Sequence, residues 1–361
     1  MTAPRVAVSI GCPSGVGPEV SVVSAAAERS ARVLLVGDLG AVRDAARGRG
    51  LDPARLVRVA AAEEAWRVRR GSIPVWQPTD DLERSDRKPG VPSRAGGRAQ
   101  LAWIDAACDL VARGGASALA TGPVSKEAIV RSGAPGSARF LGHTEHLQRR
   151  LRAREVVMAF WSPALVTSLA TTHVPLAQVA AKLGKEDVAR AAFWLAWLVG
   201  RLTGRAARVA VAALNPHSGE GGLLGHEEKT RIVPGIALAR ARLRRAGLAA
   251  VVDGPVPAET AFRLAVAERW DGVAAMYHDQ ATIPMKLLGF GDAVNVSLGL
   301  PIVRTSVDHG TAYDRAGTWT ADERGMRVAI ELAVRIASAA SAARTRSTRA
   351  RAGATRKRRT R

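Results

Sequence analysis

The chain has 361 residues, 47% of them hydrophobic and 24% charged, with 53 basic side chains against 32 acidic ones and a net charge of +21. That length suits about two domains of ~150 residues each, and the mixture excludes a disordered, collagenous or membrane-embedded chain. No apolar run approaches the ~20 residues that span a bilayer.

Two cysteines, Cys12 and Cys108, are too few for a disulfide framework. The first five residues lack the layout of a signal peptide, so a cytoplasmic protein is expected. Nine of the basic residues fall between Arg344 and Arg361, with no acid among them. Residues 343–361 therefore read as a disordered basic tail, since nothing larger than Ala is available there to bury. Weak electrostatic contact with nucleic acid is the partner that such a tail allows. Aromatics make up 4% and do not interleave with the basic residues, which argues against a dedicated nucleic-acid reader.

Along the chain, residues 5–10 read as a strand, 11–18 as a glycine-rich turn, and 19 onward as a helix with Pro18 at its first position. A second strand covers 33–36. Residues 77–97 are rich in Pro, Gly, Ser and charge and predict a long surface connection. A helix over 98–111 and a short strand over 118–120 follow. Apolar runs then predict strands at 156–160, 165–170, 209–213, 249–252, 272–276 and 293–296. Helical spacing covers 175–182, 186–202, 228–246, 258–268 and 322–338. Strands alternating with helices predict a two-domain α/β fold with mostly parallel, doubly wound sheets. The division expected is 1–140 plus 300–342 for one domain and 141–299 for the other, with the site in the cleft between them.

Ligands in such folds collect at the carboxyl ends of strands, and most of the seven histidines fall in loops read as following strands. His143, His173, His217 and His278 are the examples. Each alone reads as a hydrogen-bonded loop histidine; several converging would bind a borderline divalent ion, although their spacing is no local metal signature. Lys286, Asn295 and Arg304 follow His278 in apolar, strand-like stretches. They read either as surface polarity or as a phosphate or carboxylate site. The turn at 11–17 is not a G-x-G-x-x-G fingerprint, and neither a Walker A sequence nor a G-x-S-x-G elbow is present. Cys12 reads as structural.

Taken together, several segments resemble the 4-hydroxythreonine-4-phosphate dehydrogenase family of pyridoxal phosphate biosynthesis. They are Gly11-Cys-Pro-Ser-Gly-Val-Gly-Pro-Glu19, Thr121-Gly-Pro-Val-Ser-Lys126, Gly142-His-Thr-Glu145, Ala170-Thr-Thr-His-Val-Pro-Leu176 and Leu214-Asn-Pro-His-Ser-Gly-Glu-Gly-Gly222. Tyr277-His-Asp-Gln280, Gly289-Phe-Gly291, Asn295 and Leu300-Pro-Ile-Val-Arg-Thr-Ser-Val-Asp-His-Gly-Thr-Ala312 complete the set in the family's order.

The resemblance implies a fold like isocitrate and isopropylmalate dehydrogenases, which bind NAD or NADP without the Rossmann fingerprint. His309, Gly310, Thr311 and Ala312 are the implied cofactor loop. His173, His217 and His278 are the implied ligands of a divalent cation (Zn, Mg or Co), shared between the subunits of a homodimer. His143, Thr144, Lys286, Asn295 and Arg304 carry over as substrate contacts, and Lys126 and Asp279 as candidates for the general base. The implied reaction is NAD(P)-dependent oxidation of 4-phosphooxy-L-threonine to 2-amino-3-oxo-4-phosphooxybutanoate, which decarboxylates to 3-amino-2-oxopropyl phosphate.

Cys12, Ser125, Glu259 and Ala281 depart from the family pattern. They leave room for a paralogue acting on 4-phospho-D-threonate or a phosphoerythronate. Two readings from other classes are a nucleic-acid-associated protein working through its tail and a phosphoacyltransferase-type relative.

Overall fold

The computed structural model describes residues 3–289 and 291–339; the expected basic tail, 343–361, lies outside them. In chain order the elements begin β1 (Arg5–Ser9), α1 (Gly17–Ala27), β2 (Arg32–Val36), α2 (Leu39–Gly48), β3 (Leu56–Val59), β4 (Ile73–Trp76), α3 (Arg94–Ala112), β5 (Ala118–Thr121), α4 (Lys126–Arg131) and α5 (His143–Arg150). They continue as β6 (Val157–Trp161), β7 (Val166–Leu169), α6 (Leu176–Lys182), α7 (Lys185–Thr203), β8 (Ala207–Ala212), α8 (Val233–Arg245), β9 (Ala250–Val256) and α9 (Ala258–Val266). Then come β10 (Gly272–Ala275), α10 (His278–Gly289), β11 (Val294–Leu298) and β12 (Arg304–Val307), closed by a helix over residues 324–339, α11. None of the helices among the described residues is long and apolar enough to cross a membrane.

All twelve strands join one sheet in the order β3-β4-β2-β1-β5-β12-β11-β6-β7-β10-β8-β9. The pairings are parallel except for three in the middle, β12 with β11, β11 with β6 and β6 with β7. The mostly parallel α/β fold is as expected, although a single sheet runs through both halves. Val6, Ala7, Val8, Leu34, Leu35 and Val36 are buried without alternation, the pattern of parallel strands covered on both faces.

Short side-chain caps start the flanking helices. Asp38 accepts the Ala41 N–H at 2.6 Å to open α2, and Ser93 accepts that of Gly96 at 2.9 Å to open α3. One apolar core joins β1 through α5 with Leu300, Val307, Met326 and Ile330. Two more lie on opposite faces of β8, one under Val209 and Val211 and the other under Ala210 and Ala212. Ala329, Leu332 and Ile336 of α11 cover the central strands β6 and β11.

Seven elements were not legible as such: α2, β3, β4, α4, α5, α10 and β12. Two carry a proline that reads as a breaker. Pro74 sits within β4 and Pro284 inside α10. The surface connection is shorter than expected, since α3 already begins at Arg94.

Candidate active site

His173 and His278 lie just beyond the carboxyl ends of β7 and β10, and His217 just beyond β8. His143 does not follow a strand. It opens α5 after a single turn at Ser137–Arg139, which corrects its expected place.

The first cluster is built around Arg304, which is only 2% exposed. Its Nη1 donates to Ser297 Oγ at 2.9 Å and its Nη2 to Thr121 Oγ1 at 2.6 Å. Its Nε has no partner, and among the described residues no carboxylate forms an ion pair with it. Burial pulls the guanidinium down to about 9, with Glu145 the opposing influence. Thr144 Oγ1 lies 3.3 Å from Ser297 Oγ.

His143 Nε2 and Asn295 Oδ1 are also buried without hydrogen-bond partners. Burial, then Arg304, His146 and Lys126, hold the His143 imidazole well below its usual range, so it is neutral at pH 7. Lys126 and Glu145 crowd Gly142, where a β-carbon would meet Glu145 Oε2 at 3.1 Å and Lys126 Nζ at 3.8 Å. A buried cation with an open N–H, beside an unpartnered imidazole nitrogen and an unpartnered amide, is costly alone and satisfied by an anion. Phosphate and carboxylate both fit.

The second cluster is an imidazole pair. The rings of His173 and His278 stand 5.8 Å apart, centroid to centroid. His278 Nδ1 is 2.7 Å from Asp279 Oδ1, a bond that holds the Asp279 carboxyl below the usual range. His173 Nδ1 faces Glu145 Oε1 at 3.8 Å. A carboxylate at Nδ1 leaves Nε2 as the ligating nitrogen, the usual arrangement behind metal-bound histidine, so the pair fits part of a metal site. His217 is not with them: among the described residues no three His, Cys, Asp or Glu side chains are grouped as metal ligands would be. One chain thus supplies two of the three expected imidazoles at one place.

The third feature is a cavity of about 440 Å³ lined by Lys286, Asp308, His309, Ala312, Arg315 and Arg324, among others. Such a volume suits a small ligand or part of a nucleotide. Carboxylates that can take ribose hydroxyls and cations that can take phosphates fit a nicotinamide nucleotide. Lys286 belongs here rather than on a strand beside Arg304. It sits on α10, and its charge opposes the burial that raises Asp308. Of the expected cofactor loop, His309 and Ala312 line the cavity. Gly310 accepts from His309 Nδ1 at 2.9 Å, and the Thr311 carbonyl takes the Val16 N–H at 3.0 Å, tying the loop to the glycine-rich turn. Cys12 is buried 3.4 Å from Tyr313 Oη, and burial pushes its thiol up, which suits the structural role expected of it.

Sequence reasoning singled out neither Thr121, Glu145 nor Ser297 as an individual site residue. Thr121 closes a strand, a position that could have flagged it. Ser297 lies inside an apolar strand and gives no signal.

The family model for pyridoxal phosphate biosynthetic protein PdxA matches residues 29–333. The chain belongs to the PdxA family. A 4-hydroxythreonine-4-phosphate dehydrogenase from Geobacter metallireducens is 41% identical over 93% of this chain and 96% of its own length. The crystal structure of the Klebsiella pneumoniae 4-hydroxythreonine-4-phosphate dehydrogenase is 32% identical with a TM-score of 0.78, covering 93% of this chain and 100% of that one. A terephthalate 1,2-cis-dihydrodiol dehydrogenase from Burkholderia xenovorans is 29% identical with a TM-score of 0.64, covering 92% and 98%. The likeness to these structures spans both halves of the sheet.

Proposed function

We propose that this PdxA-family chain is a metal- and NAD(P)-dependent dehydrogenase of 4-phosphooxy-L-threonine, working as a homodimer with its sites in the cleft between the two halves. The observation that carries the proposal is Arg304, a buried guanidinium with an open N–H and no carboxylate partner among the described residues, which an anionic group of the substrate satisfies. His143, Thr144 and Asn295 complete that cradle and orient the reacting carbon, and fixing that orientation lowers the barrier by several kcal/mol.

A divalent ion held by His173, His278 and the His217 of a second copy would supply Lewis acidity to the substrate hydroxyl, and NAD(P) in the cavity beside Asp308 a hydride acceptor. Asp279 is committed to His278 and orients its ring. That leaves Lys126, beside His143 and Glu145, as the group that would take the hydroxyl proton, a role it can fill only as the free amine. The second copy is called for by apolar side chains on the histidine-bearing elements. Ile283 and Leu287 are 59% and 81% exposed, one turn apart on α10. Leu176 opens α6 and Leu223 closes the His217 loop, both exposed. Covering each contributes about 1.5–3 kcal/mol to association.

The test is NADH or NADPH appearance with 4-phosphooxy-L-threonine, 4-phospho-D-threonate and phosphoerythronate, each with and without divalent metal. Metal-dependent turnover of the L-threonine compound is the expected result. Turnover only of another compound moves the chain to a paralogous substrate, and turnover of none rejects the dehydrogenase.

A further inference from the structure

The end of the sheet opposite the cleft carries a second cluster of cations. We propose that this cluster binds the phosphate backbone of duplex nucleic acid, separately from the dehydrogenase site. Arg32 opens β2, Arg55 precedes β3, Arg69 and Arg70 precede β4, and Arg29 follows α1. These five guanidiniums line one cavity of about 100 Å³. The only carboxylate lining it, Glu28, is already engaged by the N–H groups of Ser30 and Ala31 and by the Ser30 hydroxyl.

None of the five arginines forms an ion pair among the described residues. Arg29 donates to the Ala26 carbonyl, Arg32 to those of Ala65 and Val68, and Arg55 to that of Gly71. Arg69 and Arg70 are exposed and donate to no protein group among the described residues. Other arginines are paired, as Arg205 and Arg208 are with Asp271. Five like charges gathered around a single carboxylate, Glu28, repel one another, and a bound polyanion relieves that repulsion.

The cavity's lining favours phosphate as the anion. A cavity of about 100 Å³ suits a phosphate group. No aromatic side chain lines it as a platform for a base. What remains is sequence-independent contact with backbone phosphates, which a duplex presents at one charge per ~1.7 Å.

The experiment is polarisation of a dye-labelled DNA duplex, titrated between ~50 and ~200 mM salt. It compares the full chain, the chain truncated after Ala343, and the triple variant Arg29→Gln, Arg69→Gln, Arg70→Gln in both lengths. Arg32 and Arg55 are spared because they bond carbonyls distant in sequence, whereas Arg29 bonds only within its own helix end, and thermal unfolding of each variant checks that it is intact. The expected result is that the truncated chain still binds. The triple variant then weakens binding in both lengths and lowers the slope of log affinity against log salt by about 2–3, at ~0.9 per phosphate contact. The proposal is overturned if the triple variant binds like its parent, or if truncation alone abolishes binding. It is also overturned if inorganic triphosphate binds the cluster while the duplex does not.

Discussion

At the scale of single residues, the site depends on polar groups left without partners. Arg304 is held by two hydroxyls, Ser297 and Thr121, which fix its orientation without neutralising it. Removing the charge by Arg304→Gln is expected to raise KM for the phosphorylated substrate about 100-fold, the ~2.7 kcal/mol of a charge-assisted pair, while leaving thermal unfolding unchanged or higher. Arg304→Lys keeps the charge but loses the fork, and should fall between the two. The sign of the pH dependence follows from the guanidinium lying at about 9. It is cationic below that value, so binding of sulfate, whose charge is constant there, is expected to be level from pH 6 to 8 and to weaken as pH rises through about 9. Calorimetric titration across that range checks it; binding that strengthened above pH 9 would rule Arg304 out as the anion's partner. Arg304 and Asn295 were visible in the sequence as polar residues in apolar stretches, but the hydroxyls that orient Arg304 were not.

At the scale of elements, the loop that carries His217 is the most constrained segment of the site. His217, Ser218, Gly219, Glu220 and Gly221 all have left-handed φ, from 43° to 79°, a conformation that costs non-glycine residues about 1–2 kcal/mol each. The loop is held from below by Glu228, which is 4% exposed and opens a π-helical turn, Glu228–Ile232. Its carboxylate accepts the N–H groups of Leu214 and Asn215 at 3.0 and 2.8 Å and the Asn215 amide at 2.9 Å. A β-carbon at Gly219 would stand 2.8 Å from Glu228 Oε2, and that oxygen is pinned. Gly219→Ala and Glu228→Gln are each expected to lower stability by about 1–3 kcal/mol, several degrees in Tm for a chain of this size. They should also weaken metal retention, measured by elemental analysis after dialysis, more than a surface variant of equal Tm does. Equal retention would mean that the loop does not need its shape to present His217. Gly219 and Gly221 hint at such a turn in the sequence. Glu228 gives no hint, because its partners are two backbone N–H groups and the Asn215 amide, more than a dozen residues away.

At the scale of the whole molecule, the antiparallel pairings in the middle of the sheet join two parallel halves and leave the imidazole-bearing loops on one end. His173 and His278 meet there within a chain and His217 does not. A site shared between two copies predicts complementation. His217→Ala and His173→Ala homodimers should each be inactive, whereas mixing them under subunit exchange should restore activity, up to about half in a mixed dimer with one intact site. Sedimentation should show the dimer, and Ile283→Asp with Leu287→Asp should dissociate it. No recovery on mixing, in samples shown to exchange subunits, would place the whole metal site within one chain.

The alternation of apolar runs with helical spacing determined the α/β class, nearly all of the strands in the second half and the positions after strands where His173, His217 and His278 fall. These signals are local, because burial on both faces of a parallel strand writes a continuous apolar run into the chain. Only the tertiary structure decided that α10 is a helix through Pro284, that β3 and β4 extend the sheet past β2, and that Lys286 joins Asp308 in the cavity rather than Arg304. It also decided which polar atoms are left unpartnered. Proline tolerance, short strands and open valences depend on neighbours distant in sequence, and a window of consecutive residues carries no record of them.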